Sequence, residues 1–131
     1  MSRPALTYLA ALLAFGLLDY VWLRHIAIDW YEAGMAHVLA PQPNWWAAGA
    51  FYLLYPAGVV FFAAWPSEGD WTRALFLGAL FGAFAYGTYD LTSLAVIRDW
   101  PVGLTLLDIA WGAVVSGAAA AAGAVALKAA S

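Results

Sequence analysis

Four long apolar runs, separated by short polar segments, dominate the pattern of the chain. Each run has about 20 residues, the length that crosses about 30 Å of hydrocarbon as a helix. Prolines, glycines and charges punctuate the segments between the runs, in APQPNWW, WPSEGDW and RDWPVG. The pattern therefore predicts an all-α polytopic membrane protein, a four-transmembrane-helix bundle forming a single membrane domain over residues 1–131. The predicted spans are residues 4–23, 45–65, 74–95 and 106–127.

The first connection is the longest and contains the segment RHIAIDWYEAGMAHVL. Its apolar and aromatic residues recur at mixed spacings of three and four, which predicts a short amphipathic helix lying in the membrane interface. The first apolar run is interpreted as a permanent span and not as a cleaved signal peptide. It is longer than a usual signal core and ends in Asp, Trp and Arg instead of small residues.

Composition supports a membrane protein and narrows the classes of partner. Of the 131 residues, 66% are hydrophobic and only 10% are charged, whereas about a quarter are charged in a typical soluble domain. The net charge is −3 and no cluster of Lys or Arg exists, so nothing indicates binding to nucleic acid. The chain has no cysteine, which excludes disulfides, thiolate nucleophiles and sulfur-ligated metals.

The few basic residues predict the orientation. Arg3, Arg73 and Lys128 belong to the two termini and the second connection, and Arg24 and Arg98 to the other two connections. The excess of positive charge predicts that both termini are cytoplasmic. Small residues in the third and fourth runs, including the GxxxG pair of Gly78 and Gly82, predict close helix packing.

Three aspartates interrupt the apolar runs, and each is placed near the end of a predicted span. Asp19 and Asp90 lie close to helix C-termini, where the helix dipole disfavours negative charge. Asp108 follows Thr105 in the spacing of a capping box, so it is either a helix cap or part of a site. Because spans one and three run in the same direction and span four runs back, all three carboxylates are expected at a similar depth.

Aromatic and hydroxyl side chains near these aspartates predict a polar pocket. Tyr86 shares a helix face with Asp90, and the i+3 spacing of Trp22 and Trp111 predicts an indole donor beside Asp19 and Asp108, respectively. The candidate catalytic residues are Asp90, Asp19 and Asp108. The candidate ligand-binding residues are Asp19, Trp22, Tyr52, Tyr55, Tyr86, Tyr89, Asp90, Thr92, Asp108 and Trp111. No metal-ligand or phosphate-loop motif is present, and no cofactor is specified.

Several motifs resemble a bacterial family of small membrane proteins catalogued as domain of unknown function 2177. They are LDYVWL in span one, FYLLYPAGVVFF in span two, TYDLTSLA with the following RDWP, and LDIAWG in span four. The resemblance implies four spans and a location in the bacterial inner membrane, and it implies no particular reaction. It also implies relatives encoded near enzymes that modify membrane fatty-acyl chains. Ser93 departs from the family pattern, which has Asn at that position.

Two hypotheses for the function follow from the predicted pocket. In the first, the protein binds a membrane lipid or another hydrophobic small molecule, or is an accessory subunit of a larger membrane protein. In the second, it is a membrane enzyme or an enzyme subunit that modifies a lipid acyl or isoprenoid chain, with Asp90 as acid or base and Asp19 and Asp108 tuning it.

Overall fold

The computed structural model describes residues 2–131, of which none is in a strand and most are helical (82%). The helices are α1 (Arg3–Val21), α2 (Ile28–Met35), α3 (Trp45–Val59), α4 (Trp71–Val96) and α5 (Val102–Ala129). The π-helical turns Trp22–Ile26 and Val60–Ala64 extend α1 and α3 without a break. This gives four helical segments that are long and apolar enough to cross a membrane, which confirms the predicted fold class.

Side-chain caps fix the starts of three of the four long helices. Ser2 Oγ accepts a hydrogen bond from the Ala5 amide at 3.3 Å, and Asn44 Oδ1 accepts one from the Ala47 amide at 3.1 Å. Asp70 Oδ1 accepts hydrogen bonds from the amides of Thr72 and Arg73. These oxygens satisfy amide groups that have no partner in the first helical turn. The cap at Asp70 also explains why α4 begins three residues before the predicted start of span three.

The predicted capping box at the start of α5 is wrong. Helix α5 begins at Val102, directly after Pro101, and Thr105 already lies inside it. The Thr105 hydroxyl donates to the Pro101 carbonyl oxygen at 2.8 Å, the back-bond that Thr forms within a helix. Asp108 therefore lies in the second turn and is not a cap. The proline, with φ fixed by its ring, sets the helix start earlier than the spacing of Thr and Asp indicated.

The first connection contains the short helix α2 and ends close to the third connection. A Cβ atom on Gly34 would lie 3.1 Å from the side chains of Pro101 and Leu104, so α2 packs directly on the start of α5. His37 Nε2 lies 2.8 Å from the backbone oxygen of Arg98, within hydrogen-bonding distance. The two connections thus form one end of the bundle. The location of α2 in the membrane interface stays a prediction.

Helices α4 and α5 contact each other along a seam of small residues. A Cβ atom on Gly82 would overlap the Gly112 carbonyl oxygen and the Ser116 hydroxyl, and one on Gly78 would overlap the Cβ atom of Ala120. The predicted close packing through these glycines is confirmed. Only residues without bulky side chains allow two helix backbones to approach this closely.

The buried core lies in the middle of the bundle, where α1, α4, α5 and the π-helical turn after α3 meet. Phe15, Val59 and Val115 are its largest fully buried apolar side chains, and alanines fill most of the remainder. On one side of this core, α4 and α5 contact each other along the seam of small residues. On the side of the first and third connections, large aromatic side chains separate them.

Candidate ligand-binding cavity

A cavity of about 560 Å³ lies inside the end of the bundle formed by the first and third connections. All five helices contribute to its walls. Its lining includes all three aspartates and nine of the ten predicted ligand-binding residues, namely Asp19, Trp22, Tyr52, Tyr55, Tyr86, Tyr89, Asp90, Asp108 and Trp111. The structure therefore brings these nine side chains together around one space.

The three aspartates lie at matching distances from the ends of their helical segments. Asp19 is seven residues before Ile26, Asp90 is six before Val96, and Asp108 is six after Val102. At 1.5 Å per residue, each lies roughly 9–11 Å inside its segment. Asp19 lies deeper than the predicted end of span one at residue 23 implied, because the π-helical turn continues α1 to Ile26.

Asp19 is buried, at 5% exposure, and both of its oxygens accept hydrogen bonds. Oδ2 accepts a short hydrogen bond from the Tyr52 hydroxyl on α3. Oδ1 accepts one from the indole Nε1–H of Trp111 on α5, at 3.0 Å. This carboxyl group therefore joins three helices, α1, α3 and α5. The arrangement indicates a structural role for Asp19 in holding the cavity walls.

The predicted pairing of each aspartate with the indole three residues later is wrong. The indole of Trp111 donates to Asp19 on the neighbouring helix instead of Asp108. The indole of Trp22 donates at 3.2 Å to the hydroxyl of Tyr31, which in turn donates to Asp108 Oδ1 at 2.5 Å. The two indole rings stack with their centroids 4.6 Å apart and their planes within 7° of parallel. Each indole N–H therefore donates to a side chain of another helix, Trp22 to Tyr31 on α2 and Trp111 to Asp19 on α1.

Tyr31 is the principal residue of the cavity that the sequence reasoning missed. It lies on α2, which crosses the end of the bundle, and Met35 one turn later also lines the cavity. Burial raises the pKa of the Tyr31 hydroxyl, and the hydrogen bond to Asp108 raises it further, so the hydroxyl stays a donor. The i, i+4 spacing of Tyr31 and Met35 was the available signal for one face of α2.

Asp90 differs from the other two aspartates because it lacks a donor. It is only 2% exposed, and its Oδ2 atom is fully buried without a hydrogen-bond partner among residues 2–131. The carboxyl group of Asp108 lies beside it. A buried carboxylate oxygen without a donor is costly, and two neighbouring carboxylates repel each other unless a proton or a cation lies between them. Asp90 is thus the polar group of the cavity whose hydrogen bonding is incomplete.

Thr92 is the one predicted residue that does not line the cavity. It faces a shallow pocket on the outer side of α4 and α5, together with Thr88, whose hydroxyl donates to the Phe84 carbonyl oxygen. Two positions along a helix correspond to a rotation of about 200°, so Thr92 and Asp90 point to nearly opposite sides. Ser93 is buried but is not part of the cavity lining.

The tyrosines at the inner end of the cavity connect it to the packed part of the bundle. The Tyr55 hydroxyl lies 2.6 Å from Ser116 Oγ, and its ring packs edge-on against Tyr86 at 5.8 Å. A Cβ atom on Gly112 would overlap the Tyr86 ring, so the absence of a side chain there makes room for this wall of the cavity. No group of three or more potential metal ligands is positioned to hold an ion anywhere in residues 2–131.

A bundle of four apolar helical segments long enough to span a bilayer, with a cavity at one end, defines the class of protein. It is a polytopic helical membrane protein. The chain matches the family described as Predicted membrane protein (DUF2177) over residues 5–125 and belongs to that family. No curated protein and no solved structure matches it.

Proposed function

We propose that this protein binds a hydrophobic molecule of the membrane in the cavity between its helices. The observation that carries the proposal is the buried, unpartnered Oδ2 of Asp90 in the wall of a cavity of about 560 Å³. A folded protein seldom leaves such an atom without a partner, and a bound molecule with a polar group would supply one.

The size and lining of the cavity support a small hydrophobic ligand. Its volume is within the range of about 300–1,000 Å³ typical of small-molecule sites. At roughly 30 Å³ for each water-sized group, it holds on the order of 20 such groups, the size of one acyl chain or a small ring system. The side chains of Phe51, Met35 and Leu104 add apolar surface to the walls of the cavity. A ligand of one chain fits better than a phospholipid with two.

The test compares the molecules retained by three versions of the protein, purified in mild detergent from the membrane of their host. Ala85 lines the cavity, and Ala85→Phe places a ring inside it. Ala83 faces the outer pocket two positions away, so Ala83→Phe adds the same ring without filling the cavity. We expect native mass spectrometry with extraction to find a defined compound bound to the wild type and Ala83→Phe. Ala85→Phe should lack that compound, and equal retention by all three proteins would contradict the proposal.

The neighbouring carboxyl groups of Asp90 and Asp108 favour a second candidate function. In this function the protein is a membrane enzyme that acts on a lipid acyl or isoprenoid chain. A carboxyl group facing a dry cavity is suited to transfer a proton to or from a bound molecule. The same extraction, carried out on Asp90→Asn, distinguishes the two functions. An enzyme would retain an unconverted compound of different mass in this variant, whereas a binding protein would retain the same compound or none.

We further propose a bacterial inner-membrane location with both termini in the cytoplasm, on the basis of Arg3, Arg73 and Lys128. Because the chain has no cysteine, single substitutions allow clean labelling. Ser131→Cys should resist an impermeant maleimide in intact cells, and Gln42→Cys in the first connection should react. The reverse pattern would overturn this orientation.

A further inference from the structure

The cavity combines three acidic side chains with aromatic walls. Asp19, Asp90 and Asp108 line it, and no Lys, Arg or His among residues 2–131 does. Hydrogen bonds from Tyr52 and Trp111 satisfy Asp19. The pair formed by Asp90 and Asp108 accepts a side-chain hydrogen bond only from Tyr31 among residues 2–131, so this pair has room for a further donor.

The walls next to this pair are faces and edges of aromatic rings. Trp22 and Trp111 form a stacked pair, and Tyr89 packs edge-on against Trp100 with centroids 5.9 Å apart. All four rings line the cavity together with Tyr86. The faces of such rings attract cations, most strongly where water is excluded, and ammonium groups are recognised by aromatic cages of this kind.

We propose that the ligand is a hydrophobic cation, a molecule with one alkyl chain or ring system and an ammonium group held between Asp90, Asp108 and the aromatic walls. This inference rests on the proposed function and names the chemical class of its ligand. A cation interacts favourably with both features of the cavity at once, whereas an anionic lipid head would be repelled by the carboxylates. A bare metal ion fits less well, because Ca²⁺ and Mg²⁺ require a shell of oxygen ligands and the walls here are largely aromatic.

The test uses two probes that share one chain and differ in the head group, namely dodecyltrimethylammonium and dodecanol. The ammonium probe is titrated below its micellar concentration, and dodecanol below its solubility in water, into the protein in phosphatidylcholine nanodiscs. Tryptophan fluorescence is recorded because Trp22, Trp100 and Trp111 line the cavity. The signal of Ala85→Phe gives the contribution of probe dissolved in the bilayer and is subtracted. The comparison of the two head groups in the wild type requires no change at the aspartates.

We expect the ammonium probe to bind the wild type at least about tenfold more tightly than the alcohol, in line with a charge and aromatic-cage interaction. Asp90→Asn should reduce this preference to within about twofold. Asp70→Asn is the matched control, since Asp70 is exposed, caps α4 and lies outside the cavity, and Asn also caps helices.

Equal or tighter binding of dodecanol, or a preference that survives in Asp90→Asn, would overturn the cationic ligand. In that case, specific binding of dodecanol would still support the proposed hydrophobic binding site. If neither probe binds above the Ala85→Phe signal and the extraction experiment finds no compound, both the cationic ligand and the proposed hydrophobic site are overturned. A thermal melt of Asp90→Asn checks that the variant is folded, which we expect because its altered oxygen has no partner to lose.

Discussion

Two regions of this bundle are built from opposite kinds of residue. Along the seam between α4 and α5, Gly78, Gly82 and Gly112 bring the helix backbones into contact. At the end that carries the first and third connections, Tyr and Trp side chains hold the helices apart around a cavity. In a bilayer, helices gain little from hiding apolar surface, so close packing and hydrogen bonds decide where they meet. The seam is thus the closely packed part of the bundle, and the cavity is the part that has room for a bound molecule.

The three aspartates repeat this contrast within the cavity. Asp19 has two donors, from Tyr52 and Trp111, and belongs to the framework. Asp90 has a buried oxygen without a hydrogen-bond donor among residues 2–131, so we expect its substitution to affect binding more than stability. A similar depth in the bundle therefore does not imply a similar role. Substitutions at the two positions should separate stability from binding.

Asp19→Ala should have the largest effect on stability. Its removal leaves the Tyr52 hydroxyl and the Trp111 indole without their acceptor, at about 1–3 kcal/mol for each buried donor. We expect a loss of about 2–4 kcal/mol in the free energy of unfolding, allowing for partial relaxation. Reversible unfolding in mixed micelles measures it, and Asp90→Asn is the comparison. A larger loss in Asp90→Asn than in Asp19→Ala would reverse the assignment of the two roles.

Gly82→Ala should have the next largest effect, because the added methyl group overlaps the Gly112 carbonyl oxygen and the Ser116 hydroxyl. Overpacking of this kind costs about 1–3 kcal/mol. Gly87→Ala, on the same helix, meets no atom within 4 Å and should be neutral or stabilising by up to about 1 kcal/mol. The measurement of reversible unfolding in mixed micelles tests the effects of both substitutions. Equal effects of the two substitutions would show that the seam is not the tight contact described.

The fold was predictable from the sequence because its signals are local. A run of about 20 apolar residues gives a span wherever its partners lie. The similar depth of Asp19, Asp90 and Asp108 was also accessible, because each lies a few residues from an end of its predicted span. The exclusion of Thr92 was accessible too, since positions two apart on a helix do not share a face.

The hydrogen-bond partners in the cavity were not predictable in the same way. Which carboxylate receives the Trp111 indole depends on the rotation of α5 against α1, and no spacing within one helix reports that rotation. Tyr31 reaches Asp108 only because α2 folds back over the bundle and packs through Gly34. The predicted start of α5 was wrong because a Thr and an Asp at capping-box spacing also occur inside helices. Pro101 determines where this helix begins.

Tyr31→Phe should have a smaller effect, confined to the open end. The substitution removes the donor to Asp108 and the acceptor for Trp22, but Tyr31 is only partly buried, so we expect a loss of about 1 kcal/mol. Hydrogen exchange should become faster in α2 and remain unchanged along the seam. Tyr20→Phe, at an exposed tyrosine of α1, is the control. Faster exchange throughout the bundle would instead indicate that α2 supports the whole fold.

The smallest effect is expected at the opposite end, at the start of α4, and it depends on pH. The hydroxyl of Thr72, and the amides of Arg73 and Thr72, donate to Asp70 and hold its pKa below the usual value of 3.8. Because the folded-state pKa is lower than the unfolded one, the contribution of the charge is fully present above pH 3.8 and is lost as the pH falls through the folded-state pKa. Asp70→Asn keeps the cap but does not titrate. The melting temperature of the wild type should therefore exceed that of Asp70→Asn slightly near neutral pH, and the difference should vanish in acid. A difference that stays constant across this range would mean that the geometry of the cap, and not its charge interacting with the helix N-terminus, is what stabilises the start of α4.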